Sequence, residues 1–120
     1  MSQDQKSQTP NARFIAAFGE MSQAVHDTAR EKGWWDAPRN DGEIIALMHS
    51  ELSEALEALR AGNPPDDKIP AFSGAEAKMA DTIIRIMDMG PARGWRIAEA
   101  VVAKIAYNKS RPHKHGGKAF

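Results

Sequence analysis

Four stretches of this chain space their apolar residues three and four positions apart, and each stretch is closed by glycine or proline. Together these restrict the fold strongly: the spacing lines one face of an α-helix, and Gly or Pro stops the helix from continuing. In the first stretch Phe14, Phe18, Met21, Val25 and Ala29 recur, with Thr9 as N-cap, Pro10 as first helical residue and Gly33 as C-terminal cap. In the second, Ile44, Met48, Leu52, Ala55 and Leu59 share a face; Asn40 or Asp41 caps its start, with Glu43 nearby for a capping box, and Gly62 stops it. A turn-rich loop from Asn63 to Asp67 follows. The third starts at Ser73, whose capping-box partner is Glu76, and carries Met79, Ala80, Ile83, Ile84, Ile86 and Met87 until Gly90-Pro91 ends or kinks it. The fourth presents Ala98, Val101, Val102, Ile105 and Ala106 and ends at Arg111-Pro112. The spacing predicts helices over about 10–32, 41–61, 73–90 and 94–110 with short connections and no strand, an all-α four-helix bundle. Residues 1–9 read as a disordered lead, and residues 10–120 as one domain with a basic tail from His113 to Lys118.

Composition removes several classes of function. The 16 acidic residues balance the 16 lysines and arginines, so nothing pulls the whole chain toward nucleic acid or an anionic membrane. Cysteine is absent, which excludes disulfides, thiolate metal sites and thiol catalysis and fits a reducing compartment. No apolar run approaches membrane-spanning length and the N-terminus lacks a hydrophobic signal region, so a soluble cytoplasmic protein with no membrane partner is expected. Four helices in 120 residues give a modest core, which two or more subunits could enlarge by sharing.

Glu51 is the residue that amphipathicity alone does not account for. At about 100° per residue it falls between Met48 and Leu52, inside the apolar face, where a carboxylate is costly unless a positive group meets it. Glu54 follows three positions later. Two carboxylates so spaced can hold one hard cation, or can reach outward to Arg or Lys. Asp81 and Asp88, seven apart, line one edge of the third helix, where Asp88 also reads as a surface acid near Arg85. Oxygen ligands of this kind favour magnesium, manganese or calcium over zinc. Lys104 and Asn108, with Lys109 and Arg111 beyond, suit a polyphosphate or form a solvated basic face. Of the adjacent Trp34 and Trp35, either can plug the end of a bundle or stack on a nucleobase. His26 lies off the apolar centre and reads as a surface histidine.

In chain order, Gly33-Trp34-Trp35-Asp36, the run His49-Ser50-Glu51-Leu52-Ser53-Glu54-Ala55-Leu56-Glu57, Met79-Ala80-Asp81 with Ile83-Ile84-Arg85-Ile86-Met87-Asp88, and Tyr107-Asn108-Lys109-Ser110-Arg111-Pro112 resemble the MazG-like all-α nucleoside triphosphate pyrophosphohydrolases, most closely their small, phage-type branch. The resemblance spans about residues 33–120. It implies a helical homodimer or dimer of dimers, Mg2+ as cofactor with Mn2+ as a substitute, and hydrolysis of a (deoxy)nucleoside triphosphate to the monophosphate and pyrophosphate. Glu51, Glu54 and Asp81 would be the metal ligands, with Glu51 and Glu54 the catalytic carboxylates and a metal-activated water attacking the α-phosphorus. Lys104, Asn108 and Arg111 would position phosphates, and Trp34 or Trp35 would border the base. The sequence departs from the pattern at one position: the family's second acidic motif is Glu-x-x-Asp, and here Lys78 stands three before Asp81. Glu76 is about 140° away from Asp81 around the helix and has its own capping role. A lysine at 78 would cancel acid charge and weaken metal binding, or would bind phosphate. Two alternatives to the hydrolase follow: a catalytically weak nucleotide-binding or regulatory bundle, and a helical interaction protein whose basic tail contacts nucleic acid.

Overall fold

The structure, a computed structural model, describes residues 9–112. It is all-α. Four helices follow one another, α1 (Pro10–Glu31), α2 (Asp41–Arg60), α3 (Gly74–Arg93) and α4 (Ile97–Ser110), the number and order expected for a four-helix bundle. The described residues contain no strand, only an isolated bridge between Pro65 and Ser73. The expected lead lies outside the described residues except for Thr9, and the basic tail lies wholly outside them.

Local chemistry explains the helix ends. The Thr9 hydroxyl accepts the Ala12 N–H, the Asn40 side chain accepts the Glu43 N–H, and Ser73 and Glu76 exchange both bonds of a capping box. Gly33 ends α1 in a left-handed conformation, with its N–H donated to Arg30 and that of Trp34 to Ala29. Gly90-Pro91 does not end the third helix as one of the two expectations had it: α3 runs on to Arg93. Pro91 sits in the final turn, where its missing N–H removes a single helical bond. Closure comes instead at Gly94, φ +68, as Trp95 donates to Gly90 and Gly94 to Pro91. With Gly94 and Trp95 used to close α3, α4 begins at Ile97 and not near residue 94, behind an Arg96 that makes no side-chain cap.

The described residues divide into two compact units, 21–95 and 9–20 with 96–112; α1 passes through both. In the first, α2 and α3 pack together around Ile44, Met48 and Met89, with Trp35 and Ile86 against them. Burying a side chain such as Ile44 contributes about 1.5–3 kcal/mol. The buried stripe of α2 is Ile44, Met48, Glu51 and Ala55. Leu52 and Leu59, expected on that face, are 48% and 52% exposed. They belong with Ile45 and Leu56 to a second apolar stripe, about 80° further round the helix. On α3, Met79 and Ile83, one turn apart, are likewise half exposed. In the other unit the Phe14 and Phe18 rings meet at 5.6 Å in a tilted pair, Ala98 is buried, and Ile105, expected in the core, is exposed.

Candidate functional site

Within residues 21–95, the C-terminal half of α1, the α1–α2 connection, α2 and α3 enclose an open cleft of about 440 Å3. Glu51, Asp81, Arg85 and Asp88 line it, as do Trp34, Arg39 and Lys32.

Glu51 is 8% exposed and meets the positive partner that its position demands. Its Oε2 accepts from Arg85 Nε at 3.0 Å, and Arg85 Nη2 lies 2.9 Å from the same oxygen as an ion pair. Arg85 lies four residues after Asp81, so one edge of α3 carries both the acid and the cation. One turn along α2, Glu54 Oε1 lies 2.9 Å from Lys78 Nζ, and Asp81 Oδ2 lies 3.9 Å from the same ammonium. Lys78 therefore faces the acids and not the polar side of α3. Its hydrogen bond to Glu54 raises its pKa above the ordinary 10.5 against a modest desolvation, helped by the fields of Glu54, Glu51 and Asp81. Both side chains stay well hydrated, at 31% and 54% exposure, so the pair contributes no more than about 1 kcal/mol to stability.

The three acids expected to bind magnesium can be tested against this geometry. Mg2+ demands oxygen ligands at about 2.0–2.1 Å in near-octahedral array. Among the described residues no three His, Cys, Asp or Glu side chains are grouped to hold a metal ion. Glu51 is held by Arg85, and Glu54 and Asp81 share Lys78. In this arrangement the carboxylates do not fit a resident divalent cation.

Asp88 differs from the expected surface acid. Its side chain is 14% exposed and collects partners from α1 and from the α1–α2 connection. Trp35 Nε1 donates to both carboxylate oxygens at 3.0 and 3.1 Å, His26 Nδ1 lies 2.8 Å from Oδ1, and Arg39 Nη1 lies 3.8 Å from Oδ2. Since an ionised carboxylate only accepts, Nδ1 of His26 is the donor in this contact. His26 is thus an interior partner of Asp88 and not a surface histidine. The guanidinium of Arg39 sits 4.8 Å from the Trp35 ring centre and 5.6 Å from that of Trp34, and His26 meets Trp35 edge-on. Arg93 fixes the connection from below, donating to the Arg39 carbonyl at 2.8 Å and to Asp41 at 2.6 Å. Of the two tryptophans, Trp35 is thus engaged on its ring and its N–H, and Trp34, 53% exposed, borders the cleft with the Arg39 and Arg85 guanidiniums 5.6 and 6.0 Å from its ring centre.

Lys104, Asn108 and Arg111 belong to the other unit, where all three are exposed. Lys104 and Arg111 converge on the Tyr107 ring at 5.2 and 5.8 Å, and the Asn108 carbonyl accepts the Arg111 N–H. Sequence reasoning assigned no role to Arg39, Lys32 or Arg93. The one available signal was an arginine four positions after a tryptophan pair; Lys32 and Arg93 look like ordinary helix-terminal cations. Comparison with protein-family models, with curated proteins and with solved structures gives no match.

Proposed function

We propose that the cleft binds a (deoxy)nucleoside triphosphate, and that the chain is a nucleotide-binding helical protein with weak pyrophosphohydrolase activity. The observation that carries this reading is the joint lining of one cleft by an exposed indole, Trp34, and by three cationic side chains, Lys32, Arg39 and Arg85. A nucleotide presents the complementary pair, a planar base and a polyanion. The sequence resemblance to MazG-like enzymes supports the same substrate class and supplies the reaction, release of pyrophosphate with the monophosphate retained. Lys78 against Glu54 favours weak over efficient hydrolysis, because the carboxylates that would act on the α-phosphate are engaged with cations. We further propose that the protein works as a homodimer or dimer of dimers, which would cover the apolar stripes of α2 and α3.

The test is a pyrophosphate-release screen over the common and damaged nucleoside triphosphates, with magnesium and with manganese, run beside calorimetric binding of the same compounds. Binding with slow release is the expected outcome. Rapid metal-dependent release would restore the efficient hydrolase, and no binding of any nucleotide would remove the substrate class altogether.

A further inference from the structure

The acids that a metal ion would need are neutralised by this chain's own cations. Lys78 bridges Glu54 at 2.9 Å and Asp81 at 3.9 Å, across the α2–α3 interface, and Arg85 holds Glu51 by an ion pair and the Nε–H hydrogen bond. An ammonium and a divalent cation seek the same oxygens and repel each other. At separations of a few ångströms that repulsion lowers metal affinity on the order of 100-fold, even with substantial screening. Position 78 is within reach of two of the three acids, Glu54 and Asp81. Exchanging a carboxylate for an ammonium there changes the local charge by two units, the charge carried by one divalent ion. The rest of the cleft is consistent with an anionic ligand. Arg85 is committed to Glu51 and Arg39 lies near Asp88, while Lys32 lines the cleft with no carboxylate partner among the described residues.

We propose that Lys78 takes the place of a divalent cation: the acid cluster of α2 and α3 is neutralised from within, and the cleft accepts a nucleoside triphosphate in its metal-free form. The second half rests on the nucleotide reading given above; the first half does not. The sign of the coupling between magnesium and nucleotide is the signature. A site that uses the metal binds nucleotide more tightly when magnesium is present. Here magnesium, by complexing the free nucleotide, should leave affinity unchanged or lower it.

The experiment has two arms on the full chain. In the first, MgCl2 and MnCl2 alone are titrated calorimetrically into the wild type, Lys78→Glu and Lys78→Gln. The exposed setting of the Lys78–Glu54 pair makes both variants compatible with folding, checked by helical circular dichroism, and Lys78→Gln carries the test should the acidic variant unfold. The wild type should show no millimolar binding, Lys78→Glu should bind, and Lys78→Gln should fall between. Metal binding by the wild type, or none by any folded variant, overturns the role of Lys78. In the second arm the four common deoxynucleoside triphosphates are titrated into the wild type in chelator and again in excess magnesium. Affinity in chelator at least equal to that in magnesium supports the metal-free ligand; a loss of about tenfold or more on chelation overturns it. Absence of nucleotide binding in both buffers overturns the substrate class and the second half together, and the metal titrations still decide the first.

Discussion

Asp88 and Glu51 are both carboxylates of the cleft wall, yet their removal should read out differently. Asp88→Asn places an amide where two donors and a nearby guanidinium converge, and its NH2 group opposes at least one of them. A loss of about 1–3 kcal/mol in unfolding free energy is expected. It should come with a changed near-ultraviolet dichroism of Trp35, and an unchanged spectrum would argue against the hydrogen bonds drawn to Nε1. Glu51→Gln removes the charge that Arg85 meets, at a cost of about 1.5–3 kcal/mol in the thermal unfolding curve. On the proposed function it should also abolish whatever pyrophosphate release the wild type shows, while helical content persists. A Glu51→Gln protein that keeps full turnover would take Glu51 out of the chemistry.

At the scale of the elements, the start of α3 offers a pH-dependent test. The capping-box bonds from Ser73 hold the Glu76 carboxyl below its ordinary value of 4.5. A depressed folded value means that the ionised carboxylate stabilises the fold fully above that ordinary value and less as pH falls through the folded one. The stability gap between the wild type and Glu76→Ala should therefore be open at neutral pH and close in acid. Ser73→Ala should cost about 1 kcal/mol, measured by denaturant unfolding. This start was legible in the sequence because the cap and its partner lie three residues apart, whereas the end of α3 was misplaced because Gly90-Pro91 precedes the left-handed Gly94 that closes it. The faces were less legible. α2 carries two apolar stripes, and a helical period assigns both to a helix without saying which one meets α3. Hence the period puts Leu52 and Leu59 on the core face and gives Leu56 no face of its own. The partners of Asp88 were beyond reach for another reason: His26 and Trp35 lie 62 and 53 positions away, and only the tertiary fold brings them together.

At the scale of the molecule, the outstanding feature among the described residues is the number of large apolar side chains of residues 21–95 that stay about half exposed. No large side chain among the described residues is fully buried, while Leu52, Leu56 and Leu59 on α2 and Met79 and Ile83 on α3 remain about half exposed. Exposed apolar area on this scale favours association. Sedimentation at micromolar concentration should show a dimer or tetramer, and Leu52→Lys with Leu56→Lys should shift it to monomer with the helices retained. A wild type that sediments as a monomer would remove the shared-core assembly.

The Lys78–Glu54 contact also bears on how such proteins diverge. Lysine and glutamate codons differ only in their first base. If one such base sets whether these acids face an ammonium or await a metal, a gene of this kind stands a single transition from the opposite ionic requirement. Lineages carrying it could cross in either direction without rebuilding a helix.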